Sequence, residues 1–128
     1  MSKLTIIILL SFAFSGCCAE MKVDVNSLLV SPSSHSKEVF ELNACVESNR
    51  HGIYLRDCYS RGGGVDFVFA EGVYGQGESV EFMRVARRGW SSTYEGVLSV
   101  KLVGKMERND SGWVFAIYKI INFSEVSN

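Results

Sequence analysis

The side chains able to do chemistry beyond packing are few in this 128-residue chain: four cysteines and two histidines. Cys17 and Cys18 are adjacent, at the end of an apolar run, while Cys45 and Cys58 stand apart with twelve residues between them. Thiols at the second spacing make a structural disulfide, a redox couple or half of a metal site. A redox couple calls for C-x-x-C and a structural zinc site for four nitrogen or sulfur ligands, and this pattern supplies neither. His35 and His51 lie sixteen residues apart. Periodicity places no Ser–His or paired-carboxylate set on one face, so the residues predict no catalytic site, no metal and no cofactor. Gly62-Gly63-Gly64 lacks the Lys-Ser/Thr ending of a phosphate cradle and reads as a flexible turn. Arg84, Arg87 and Arg88 near Trp90 form a small basic patch, read as a solvated helix face.

The disulfide reading rests on the element that must position the two thiols. Val39 to Tyr59 reads as a β-hairpin in which Phe40, Leu42, Ala44 and Val46 alternate with Glu41, Asn43 and Cys45. Glu47 to Gly52 supplies a polar loop, and Ile53 to Arg56 alternates again. If Cys45 faces Cys58, residue numbers of facing pairs sum to 103. That register collects Phe40, Leu42, Ala44, Val46, Ile53 and Leu55 on one face and Glu41, Asn43, Cys45, Tyr54, Arg56 and Cys58 on the other. The disulfide and the apolar pattern ask for the same pairing. Closing this loop is worth about 3 kcal/mol in the chain-entropy model.

Residues 1–16 read as an export signal. Lys3 is followed by eleven mostly apolar residues, Leu4 to Phe14. As a helix these rise only about 17 Å, short of the roughly 30 Å of a membrane core. They therefore match a signal-peptide core rather than a membrane span. Phe14-Ser15-Gly16-Cys17 resembles the lipobox of bacterial lipoproteins, with Phe14 where that family usually has Leu. The resemblance implies that Cys17 is lipidated and becomes the mature N-terminus. It also implies, from Cys18 at the next position, an outer-membrane anchor facing the periplasm. The alternative is an ordinary secretory signal cut near Ala19-Glu20. Export brings an oxidising compartment, which agrees with pairing Cys45 and Cys58. Removal of residues 1–16 takes Lys3 and leaves 12 basic against 14 acidic residues, a net charge of −2. That balance excludes a binder of nucleic acid driven by bulk charge.

The remaining chain is enough for one domain. Residues 17–37 hold five serines, the chain's one proline (Pro32) and scattered charges, and are expected to form a tether, with Val23–Val25 and Leu28–Val30 as an optional edge strand. His35, in this stretch, is expected to be solvated. A third strand is expected over Val65–Glu71. Residues 78–88 carry Val80, Met83 and Ala86 at helical spacing, with Ser79 as a candidate N-cap and Gly89 as a candidate C-terminal stop, although Val80-Glu81-Phe82 also alternates as a strand does. Leu98, Val100, Leu102 and Met106 alternate in a fourth strand, Arg108 to Gly112 reads as a turn, and Trp113 to Ile121 as a fifth strand apolar on both sides. Residues 125–128 are left as a tail.

Three strands, a helix and two strands is the order of the OB-fold, a partly open five-stranded barrel. The expected fold is therefore mainly β, an OB-like barrel over 38–124 with one short helix between strands 3 and 4; the alternative is a small β-sandwich. The chain resembles small, mostly uncharacterised bacterial lipoproteins with an OB-like barrel behind a lipobox. Ser15-Gly16-Cys17, His51 to Leu55 leading to Cys58, Val100 to Lys105 and Phe115 to Ile120 carry the resemblance. It implies architecture and localisation but assigns no catalytic residue. OB-like barrels bind on the face of strands 2 and 3 and the flanking loops, which nominates Asn49, Arg50, His51, Tyr54, Arg56, Asn109 and Asp110. The function expected is a non-catalytic binding module, held to the envelope membrane by its N-terminal lipid, for a protein, peptide or glycan and not for nucleic acid. The alternatives are a periplasmic inhibitor or immunity protein against a hydrolase or toxin and, last, an enzyme.

Overall fold

A computed structural model describes residues 23–49, 52–59, 62–87 and 97–125. The signal segment, Cys17, Arg50, His51, Arg88, Gly89, Trp90 and the end of the tail lie outside the described residues. Five strands, β1 (Phe40–Asn49), β2 (Gly52–Arg56), β3 (Phe67–Phe69), β4 (Val97–Asn109) and β5 (Gly112–Glu125), form one sheet in the order β2-β1-β4-β5-β3. All neighbouring pairs are antiparallel except β3 with β5, which is parallel. Leu55 and Val65 exchange both backbone hydrogen bonds, at 2.9 and 2.7 Å, and so join β2 to the approach of β3. This bridge brings the sheet round into a nearly closed barrel of OB-like topology, with helix α2 (Glu78–Ala86) between β3 and β4. The sandwich alternative is not formed.

Strand parity fills the interior. Leu42, Ala44, Val46 and Leu55 are buried together with Leu98, Val100, Leu102, Met106, Phe115 and Ile117. Helix α2 adds Phe82, fully buried, with ring centroids 5.6 Å from Phe123 and 6.1 Å from Phe67. The helix turns its Ser79–Phe82–Ala86 stripe inward, and Val80, expected on that stripe, is about half exposed. Ser79 is not the cap. Gly77, at φ +48°, occupies that position, and Ser79 lies within the first turn, where its hydroxyl donates to the carbonyls of Gln76 and Val73 at 2.7 and 3.0 Å. Only a residue tolerant of left-handed backbone can make so abrupt an entry, which is why glycine displaces the serine there.

The first hairpin keeps the expected faces in a different register. Val46 faces Leu55 and Cys45 faces Arg56, so facing numbers sum to 101 rather than 103. A slip of two leaves every side chain on its own face. Cys45 and Cys58 are bonded, with their α-carbons 5.0 Å apart. Strand β2 ends at Arg56, and Asp57 then bends the chain by accepting from the Tyr59 amide at 2.9 Å. Cys58 thus arrives diagonally beside Cys45 and not across from it. β1 also runs through Glu47, Ser48 and Asn49, read from composition as loop, because cross-strand pairing with Tyr54, Ile53 and Gly52 overrides their polarity. β3 is shorter than its expected Val65–Glu71 span, since only residues 67–69 pair with β5 and Val65 serves as the bridge.

The expected tether is folded from residue 23 on. Asp24 caps helix α1 (Val25–Val30) by accepting from the amide and the hydroxyl of Ser27, both at 2.8 Å. Spacing of three then buries Val25 and Leu28 in the common core. A single 3₁₀ turn, Pro32–His35, follows, with proline at its start where no amide is needed. His35 is half-buried and meets Phe40 edge-on at 5.6 Å instead of standing in solvent. At the other end, β5 includes Glu125, so the folded unit extends past both edges of the 38–124 span.

The longest hairpin owes its curvature to β5. Register shifts beside Lys101/Leu102 and Val103/Gly104 leave Ile121 and Tyr118 as extra residues on β5. Such bulges bend a strand and raise its twist, as a small barrel requires. At Gly104 the walls come so close that an added Cβ would lie 2.1 Å from the Ala116 carbonyl oxygen. Only glycine fits there.

Candidate functional site

The outward face of the first hairpin carries the densest set of nominated residues. Glu47 and Tyr54 are directly paired across β1 and β2, and Arg56 follows two positions on. Arg56 Nε lies 3.0 Å from Glu47 Oε2, an ion pair set off the line of the N–H bond. The Asn49 amide donates to the Tyr54 hydroxyl at 3.4 Å. Desolvation, followed by hydrogen bonding to the Glu47 carboxylate, holds the Tyr54 hydroxyl above its ordinary pKa. Asn49, Tyr54, Glu47 and Arg56 therefore form one connected row of amide, phenol, carboxylate and guanidinium. The Tyr54 ring is fixed from beneath: a Cβ at Gly64 would fall 2.1 Å from its Cδ2. Gly64 is thus a seat for an aromatic ring, and the glycine run is more than a flexible turn.

The two nominated turn residues lie elsewhere. Asn109 ends β4 and Asp110 follows it, whereas Asn49 ends β1 two residues past Glu47, which faces Val97 at the opposite end of β4, twelve positions from Asn109. The structure does not bring them together. Asn109 accepts from the Ser111 amide at 2.9 Å, which closes the two-residue turn between Asn109 and Gly112. Asparagine at a turn explains itself by this bond. Arg50 and His51 fall outside the described residues. In the basic patch, Arg84 donates twice to Glu81 one turn away, so its charge is already matched.

Glu47 was hidden by its reading as loop, although its parity with Tyr54 places it in the row. A second cavity escaped the sequence altogether. A cleft of about 380 Å³ lies beside the disulfide, lined among others by Asp24, Asn43, Asp57, Tyr59 and Ser99. Its walls come from segments far apart in the chain, which periodicity cannot join. Among the described residues, no three His, Cys, Asp or Glu side chains gather to hold a metal ion, and no helix is long and apolar enough to cross a membrane. Comparison with protein-family models, with curated proteins and with solved structures finds no match to this chain.

Proposed function

We propose that the protein is an exported, lipid-anchored envelope protein that works by non-catalytic binding, presenting the outer face of its first hairpin to a protein or peptide. The observation that carries this reading is the Asn49–Tyr54–Glu47–Arg56 row, four different hydrogen-bonding groups held on a rigid pair of strands. Tyr and Arg are the side chains that most often anchor protein contacts, because each combines a large apolar surface with a polar tip. Here both are ordered before any partner arrives, Tyr54 by Gly64 and Arg56 by Glu47, so less side-chain entropy is lost on association. The disulfide, on the same outward side, ties β1 to the end of β2. Anchoring through Cys17 would hold the domain at the membrane and confine its encounters to the envelope. Nucleic acid is not among the expected partners, given the net negative charge and the pairing of Arg84 with Glu81.

The test is affinity capture from envelope extract with the detergent-solubilised full chain, run beside Tyr54→Ala and Arg56→Ala. A partner held by the parent chain and lost by both variants supports the reading. Equal recovery by parent and variants removes the hairpin face from the account. Loss of labelled palmitate in Cys17→Ala tests the anchor separately.

A further inference from the structure

The cleft beside the disulfide is a second site, independent of the hairpin face. Its floor is the outer surface of β1 and β4, where Asn43 and Ser99 project from the same side as Cys45. One wall is the start of α1 with Asp24, and the other is the bend after β2 with Asp57, Cys58 and Tyr59. The two walls are tied, since the Asn26 amide donates to Asp57 Oδ2 at 3.1 Å while Cys58 is bonded to Cys45. A volume of about 380 Å³ falls within the range of small-ligand sites. The site is therefore preformed, cross-linked and of useful size.

Its lining chooses the ligand. Two carboxylates, an amide and a hydroxyl offer many acceptors and some donors, all from short, planar or compact side chains. Among the described residues, the lining holds no lysine or arginine. Each carboxylate is steadied by the fold, Asp24 by Ser27 and Asp57 by Asn26 and the Tyr59 amide, and each keeps lone pairs to spare. Tyr59 is wholly exposed, so its ring face is uncovered at the edge of the cleft. A ring face beside planar acceptors suits a molecule with one apolar C–H face and an edge of neighbouring hydroxyls.

We propose that this cleft binds a saccharide, neutral or amine-bearing, with a sugar ring laid on Tyr59 and its hydroxyls hydrogen-bonded to Asn43, Asp57 and Ser99. Anionic sugars are disfavoured, because the carboxylates of Asp24 and Asp57 face them. The aromatic ring supplies contact area, and the steadied carboxylates supply orientation. Loss of the Tyr59 ring or of the Asn43 amide weakens binding without disturbing the barrel, since among the described residues Tyr59 is wholly exposed and Asn43 is exposed on the β1 surface.

The experiment is calorimetric titration of the detergent-solubilised full chain with three probes: a trimer of N-acetylglucosamine, a trimer of glucosamine and a trimer of galacturonic acid. Binding of at least one of the first two, with none of the third, is expected. Tyr59→Ala and Asn43→Ala should each weaken it at least tenfold while leaving the thermal midpoint unchanged, and Tyr54→Ala should leave it unaltered. Preference for the galacturonate trimer, undiminished binding by Tyr59→Ala and Asn43→Ala, or absence of heat with all three probes would overturn the proposal. Because Tyr54→Ala is the variant that tests the hairpin face, failure of one site is read separately from failure of the other.

Discussion

The two hairpins of this barrel are held together by different means. β4 and β5, thirteen and fourteen residues long, share twelve facing pairs, their inward side chains fill the core, and at Gly104 the backbones touch. β1 and β2 share only five facing pairs, β2 turns inward only Leu55 and the partly buried Ile53, and a covalent bond crosses on their outward side. One hairpin is stable because of what it buries. The other also buries Leu42, Ala44, Val46 and Leu55, and to that it adds a staple and polar partners on its outer surface. Rigidity is what a binding face needs, and the disulfide adds to it what five strand pairs alone would not give.

Breaking the buried hairpin should cost most. Phe115 is fully buried beside Phe40, and Phe115→Ala is expected to lower stability by about 3–5 kcal/mol through the cavity it leaves, measured by urea unfolding. Gly104→Ala strikes the same hairpin by the reverse route. Its methyl group would meet a backbone oxygen that cannot swing aside, so the upper end of overpacking costs, about 3 kcal/mol, is expected. Removing the staple with Cys45→Ser and Cys58→Ser together should cost about 2–3 kcal/mol and leave the fold recognisable by circular dichroism.

Smaller effects sharpen the contrast. Asp24→Ala removes the cap of α1 and should cost about 1 kcal/mol. The Ser27 amide, and then its hydroxyl, hold the Asp24 carboxyl below its ordinary pKa. A lowered folded-state pKa gives stability that is present above the unfolded value and is lost as pH falls through the folded one. Asp24→Ala should therefore lose its penalty at acid pH, and a penalty that grew on acidification would contradict the capping role. Least of all, Glu41→Ala breaks an exposed pair with Lys101 at 2.8 Å and should change stability by no more than about 0.5 kcal/mol.

The same contrast explains what could be read from the chain. Faces of both hairpins were legible because period-two alternation survives any even slip of register, which is how Leu42, Val46 and Leu55 were placed correctly while their partners were off by two. The bend that moved Cys58 depends on the hydrogen bond that Asp57 accepts from the Tyr59 amide, and no alternation encodes it. Helix α1 carries a legible cap, Asp24 three residues before Ser27, but surrounding serines and Pro32 outweighed it as a solvated segment. Glu47 to Asn49 looked like loop by composition and became strand by pairing. The cleft was out of reach for a different reason: Asp24, Asn43, Asp57 and Ser99 become neighbours only when α1 packs against β2 and the bend that follows it.

The division between a buried hairpin and a stapled one is tested most directly by hydrogen exchange, residue by residue, on the parent chain and on the Cys45→Ser/Cys58→Ser variant. Loss of the staple should speed exchange at Gly52–Arg56 by orders of magnitude more than at the paired amides of β4 and β5. Equal acceleration in both hairpins, or opening of β4 and β5 before β2, would show that the barrel has one undivided source of stability and would contradict the account.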